Sequence, residues 1–149
     1  MIPEIGNFTL IVALFIALVQ GVLPIAGAAR GNIVMMGSAR TLVVGQFVFV
    51  AIAFGCLTYS FVANDFSVLY VAEHSNSQLP TAYRVAAIWG GHEGSLLLWT
   101  FILSLWTIAV AAFSKHLPLE MVARVLGVMG LVAVGFLLFM LLTSNPFDR

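Results

Sequence analysis

Apolar residues run in four long blocks that no charge interrupts: Ile5 to Ala29, Thr41 to Asn64, Gly94 to Ser114 and Val125 to Phe147. Each block exceeds the roughly 18–20 apolar residues that cross a hydrocarbon layer. None alternates with the period of two that a barrel strand would show. Backbone amides in lipid must find their partners within the segment, which leaves helices. The pattern predicts an all-α polytopic membrane protein. Its transmembrane helices fall at about residues 8–29, 41–63, 94–114 and 123–144, in one membrane domain over residues 1–149.

Residues 64–93 form the one long stretch outside these blocks. Long connections in compact proteins are functional or disordered more often than short ones. Ser75-Asn76-Ser77-Gln78-Leu79-Pro80 reads as a turn. Pro80 is suited to open a helix. Tyr83, Ala86, Ala87 and Trp89 after it predict a short helix at the membrane interface, with the two aromatic rings at headgroup depth.

The charges that remain orient the chain. Of 149 residues 62% are hydrophobic and 8% charged, a balance that excludes a water-soluble domain. Arg30 and Arg40 flank the first connection, while Lys115, His116 and Arg124 flank the last. Under the positive-inside rule both connections are cytoplasmic. Glu4, Asp65, Glu73, Arg84, Glu93, Asp148 and Arg149 then lie on the other side, so both termini and the 64–93 loop are expected to be periplasmic. The first block is not a secretory signal: Glu4 stands where a basic start is needed, and the run is too long. A net charge of zero gives no sign of nucleic-acid binding. Cys56 has no disulfide partner in the chain and reads as a small buried hydrophobe.

Candidate chemistry concentrates at Trp89-Gly90-Gly91-His92-Glu93-Gly94-Ser95, the most polar and glycine-rich sequence beside any block. Glu93 sits where the positive end of a helix dipole favours an acid. Two readings fit: a helix start with an acidic cap, or a site at which Trp89, His92 and Glu93 face a cavity and meet a cofactor or partner. Helical spacing puts His92, Ser95, Trp99, Leu103 and Trp106 on one stripe. That stripe serves helix packing or lipid contact, or else Trp99 and Trp106 wall a cleft for a planar cofactor. His74 and His116 are expected on opposite sides of the membrane, so the three histidines do not share a metal, and no zinc spacing occurs. No serine has the context of a hydrolase nucleophile. Gly127 and Gly130 lie within a span, on one face with Ala123, and predict a seam where a neighbouring helix comes close. Gln20, Gln46 and a few hydroxyls are the only polar groups offered at mid-membrane to a transport pathway.

Beyond these patterns, the chain opens with Pro3-Glu4-Ile5-Gly6-Asn7 and continues through Asn64-Asp65-Phe66 and Ser75-Asn76-Ser77-Gln78-Leu79-Pro80. Tyr83-Arg84-Val85-Ala86-Ala87-Ile88-Trp89-Gly90-Gly91-His92-Glu93-Gly94-Ser95-Leu96-Leu97-Leu98-Trp99 follows, then Val122-Ala123-Arg124-Val125 and Thr143-Ser144-Asn145-Pro146-Phe147. From end to end the chain resembles the amino-terminal part of the CcmF/NrfE family. CcmF is the large membrane subunit of the bacterial system I cytochrome c maturation machinery. The resemblance implies a haem lyase of the bacterial inner membrane. Such a lyase takes haem from the chaperone CcmE and, with CcmH and CcmI, helps attach it by thioether bonds to the Cys-x-x-Cys-His motif of an apocytochrome c. NrfE is the paralogue that serves a nitrite reductase cytochrome.

The family's tryptophan-rich outer motif and its haem-ligating histidines lie downstream of the matched region. None is therefore carried over, and His92 is not counted as a ligand. The resemblance implies a fragment of a longer chain, with haem bound by the full-length protein and none ligated by this stretch alone. Lipid surrounds the spans in either case. Outside the family, a small structural subunit of a respiratory complex would need only four helices and a glycine seam.

Overall fold

The computed structural model describes residues 2–63, 65–75, 80–88, 91–143 and 145–147. Among these it contains the helices α1 (Ile2–Arg30), α2 (Ile33–Val62), α3 (Leu69–His74), α4 (Thr81–Ala87), α5 (His92–Phe113) and α6 (Leu119–Thr143). The long helices α1, α2, α5 and α6 each have the length and apolar composition to cross a membrane. The chain is thus all-α and multi-pass, as its charge-free blocks predict.

α2 begins at Ile33, well before the predicted residue 41, because the link from α1 is only two residues long. Gly31 takes φ 69°, and the Asn32 amide then reaches back to the Gly27 carbonyl at 2.9 Å, closing a Schellman turn. The same Asn32 opens α2, its Oδ1 accepting from the Val34 and Met35 amides at 3.0 and 3.3 Å. One residue thereby ends one span and starts the next, and Arg40 is drawn inside α2.

Arg40 Nε donates to the Ala111 carbonyl at 3.1 Å, in the last turn of α5. A cation there answers the negative end of the α5 dipole and an unpaired carbonyl together. The contact places the α1–α2 link and the α5–α6 link at the same end of the bundle. That end also carries Glu120, which pairs with Arg124 at 2.8 Å on an exposed surface. Arg40→Ala should lower the stability of the detergent-solubilised protein by about 1 kcal/mol. The check is thermal unfolding beside Arg124→Ala, whose exposed pair contributes about half that or less.

Around the bundle α1 packs on α2 and α6, and α5 on α2 and α6, with α2 also reaching α6. The α1–α6 seam falls where the small residues predict it. Pro24, inside α1, lacks the amide that would bond the Gln20 carbonyl. Gln20 is fully buried, and its Nε2 donates to the Leu126 carbonyl of α6 at 2.8 Å. Gly127 and Gly130 receive Ile25, Gln20 and Gly21 at distances that leave no room for a side chain. Cys56 is a buried free thiol, as expected.

At the end opposite Arg40 the core does not stop at the spans. Leu10, Phe61, Leu97 and Leu137 pack in one cluster with Val68, Tyr70, Val71 and Ile88 from the 64–93 stretch and with Phe147, which follows α6. The 64–93 stretch is therefore part of the folded unit where it is described. It contains α3, which sequence patterning missed, and α4, which starts one residue after Pro80 as predicted. Of the predicted 75–80 turn, residues 76–79 lie outside the described residues.

Candidate functional site

A six-residue helix has little stability of its own, so α3 depends on what it packs against. Tyr70 packs there together with Val68 and Val71. Its side chain is buried, with only 4% of its surface exposed. Its ring stands edge-on to Phe61 of α2, with centroids 5.5 Å apart, a favourable aromatic geometry. The His74 ring lies against its other side at 4.4 Å, while His74 Nδ1 sits 3.0 Å from the Tyr70 carbonyl. The histidine expected in an open loop is thus half-buried and locked to α3.

The Tyr70 hydroxyl then makes two hydrogen bonds to a different part of the chain. It donates to the Ile88 carbonyl at 2.7 Å and accepts from the Gly91 amide at 3.0 Å. Gly91 is the residue that precedes α5, in extended conformation with φ −111° and ψ 175°. Both ends of the turn between α4 and α5 are consequently held by one phenol. The glycines around it follow from this closeness. A Cβ on Gly91 would lie 2.6 Å from His74 Nε2 and 2.7 Å from Tyr70 Cε1. A Cβ on Gly94 would overlap the Ile88 carbonyl oxygen.

Glu93 lies in the first turn of α5 and is half-buried. Burial pushes the Tyr70 phenol above its usual range; hydrogen bonds from the Gly91 and Gly94 amides pull it back in part, and the Glu93 charge adds to the upward push. Tyr70 therefore remains a neutral donor to Ile88 throughout the physiological range. Arg84 of α4 donates to the Val62 carbonyl at the end of α2 at 3.3 Å, tying α4 down as well. Trp89 and the side chain of His92 lie outside what is described.

α5 has a buried face distinct from the predicted stripe. Gly94, Leu97, Thr100, Ser104, Thr107 and Ala111 turn inward. Their hydroxyls bond carbonyls of the same helix: Thr100 to Leu96 at 2.9 Å, Ser104 to Phe101 at 2.8 Å and Thr107 to Leu103 at 2.7 Å. Hydroxyls so satisfied line a packed interface at little polar penalty. Trp99 and Trp106 turn outward, 63% and 65% exposed. With Ile102, Leu103 and Phe136 of α6 they wall an apolar groove of ≈ 350 Å³, continued past Trp99 by Ser95 and Leu96. Trp99 therefore faces away from the Tyr70 clamp. Sequence spacing gave no sign of Tyr70, since a lone tyrosine in a loop carries no period. No cluster of three metal-binding side chains occurs among the described residues.

Comparison with known proteins bears on the whole of this arrangement. Residues 89–148 match the sequence family described as Cytochrome C assembly protein. The chain is 58% identical over 149 residues to "Cytochrome c-type biogenesis protein CcmF" of Pseudomonas aeruginosa and 59% to that of Escherichia coli. In each case all of this chain and 23% of the relative are covered. "Cytochrome c-type biogenesis protein NrfE" of Haemophilus influenzae is 43% identical, with 24% of it covered. A solved "Cytochrome c Heme Lyase CcmF" superposes with a TM-score of 0.94 at 28% identity, over 99% of this chain and 25% of that one. The chain spans about a quarter of the length of these relatives.

Proposed function

Because the chain matches the amino-terminal region of CcmF along its whole length, we propose that it forms the first four-helix unit of a haem lyase for cytochrome c biogenesis. The observation that carries this reading is the superposition on a solved CcmF haem lyase at TM-score 0.94 over 99% of the chain. In this reading the unit sits in the bacterial inner membrane with both termini and the 64–93 loop in the periplasm, consistent with Arg30, Arg40, Lys115 and Arg124 at the opposite end. The full-length protein takes haem as substrate from the chaperone CcmE and, with CcmH and CcmI, joins it to an apocytochrome c. We assign iron ligation to parts of that longer protein beyond these helices.

What these helices contribute is a scaffold and one wall of the outer haem cavity. Trp89, His92 and Glu93 are the residues we place on it, at the α5 start. Trp99 extends the wall along α5, where it shares an apolar groove with Trp106 and Phe136. Haem needs such a surface because most of its area is apolar while its propionates are charged.

His92→Ala and Glu93→Ala in the full-length protein should each lower covalent haem attachment to a reporter cytochrome by about tenfold, the usual scale for one positioned polar contact. The measurement is haem-stained cytochrome c normalised to lyase in the membrane. Undiminished attachment with both variants would reduce the motif to a helix start with an acidic cap. A NrfE-type role is the second reading, resting on the 43% identity; the cysteine motif of the client cytochrome separates the two.

A further inference from the structure

We propose that Tyr70 is a positioning residue for the lyase reaction, its hydroxyl joining Ile88 to Gly91 so that the start of α5, with Glu93 in its first turn, is held in a set place. This rests on the placement of His92 and Glu93 in the haem cavity argued above. The geometry is specific. A single oxygen bridges the Ile88 carbonyl and the Gly91 amide, 2.7 and 3.0 Å away, and those two residues bracket the turn that delivers α5. The hydroxyl itself is anchored from behind, since its ring is held between Phe61 of a membrane span and His74 of its own helix. The Tyr70 side chain thus joins the end of α2 to the start of α5.

The hydroxyl's burial decides the consequence. Removing it leaves the buried Ile88 carbonyl and the part-buried Gly91 amide without the partner they share. The start of α5 must then shift to find new partners, and His92 and Glu93 shift with it. Tyr70→Phe keeps the ring, its contact with Phe61 and its volume, so the bundle is preserved while the register of the turn is released.

The test uses the full-length protein in cells lacking their own copy, scoring covalent haem in a reporter cytochrome per unit of membrane-inserted lyase. Tyr70→Phe is expected to lower this ratio about five- to tenfold. When it is combined with His92→Ala plus Glu93→Ala, the further loss should be less than about twofold, because coupled residues do not add. A purely structural tyrosine would instead multiply its loss onto the double variant in full, and that result overturns the proposal. So does an unchanged ratio for Tyr70→Phe, which leaves the haem-cavity reading standing if His92→Ala and Glu93→Ala are themselves defective. Full attachment with those two variants refutes both. Should Tyr70→Phe fail to accumulate, Gly91→Ala, which crowds the tyrosine ring off the turn without altering it, is read in the same way.

Discussion

Gly94→Ala should abolish the ordered start of α5 while leaving the four spans in the membrane. The added methyl would overlap the Ile88 carbonyl oxygen, and it would lie 2.5 Å from the Tyr70 hydroxyl and 2.8 Å from the Ile88 carbonyl carbon. Two of those three atoms are backbone, so no rotamer change relieves the clash. The turn must lift, both Tyr70 hydrogen bonds are lost, and Ile88 leaves a cluster in which it is completely buried. Overpacking typically costs about 1–3 kcal/mol, and a clash with main chain belongs at the upper end of that range. Unfolding of the purified protein in detergent should show that loss. Gly55→Ala, whose Cβ would meet nothing within 4 Å, should be neutral within about 1 kcal/mol. In cells the full-length Gly94→Ala protein should give less than about a tenth of the normal cytochrome c, by the same tenfold-per-contact scale. A normal melting curve for Gly94→Ala would show that the 88–94 turn is not a close-packed element.

Replacing Gly130 by leucine should separate α1 from α6. The first carbon of that side chain would stand 2.9 Å from the Gly21 amide nitrogen, 3.0 Å from Gln20 Cγ and 3.1 Å from the Gln20 carbonyl carbon. The helices can accommodate the remaining leucine atoms only by moving apart. In lipid, close van der Waals contact is a main source of helix association, so separation removes the attraction itself. The Gln20 to Leu126 hydrogen bond is lost in the same movement, and Gln20, completely buried here, becomes a polar group exposed to hydrocarbon. The expected loss is about 1–3 kcal/mol, read as a lowered folded fraction in mixed micelles. Gly135→Leu is the control, because nothing lies within 4 Å of its Cβ position. Equal losses at 130 and 135 would mean that helix propensity and not the seam sets the result.

Much of this architecture is legible in one dimension because the bilayer imposes one-dimensional rules. A charge at mid-membrane is costly, so charge-free runs mark the spans wherever they occur. The seam at Ala123, Gly127 and Gly130 is legible for a related reason: small residues at helical spacing are what a close crossing needs, and Gly21, Gln20 and Ile25 do pack there. The motif around His92 and Glu93 marks the start of α5 in both views. Sequence periodicity misplaced the start of α2, since it treated Arg40 as a loop residue, whereas the arginine is held inside the helix by a carbonyl of α5 far along the chain. The stripe of Trp99 and Trp106 was assembled correctly along the helix, yet which way it faces depended on where α6 lies, and Phe136 settles that.

The sequence by itself determined four apolar helices and their order, because burial in lipid depends on local composition and length. Only the tertiary structure decided that Tyr70 holds the turn before α5, that His74 is packed against it, and that the long connection is part of the core. The physical reason is that two hydrogen bonds, one donated by the Tyr70 hydroxyl to the Ile88 carbonyl and one donated to that hydroxyl by the Gly91 amide, join residues eighteen and twenty-one positions apart. No repeating pattern encodes such a contact; it exists only once α2 and α5 stand side by side.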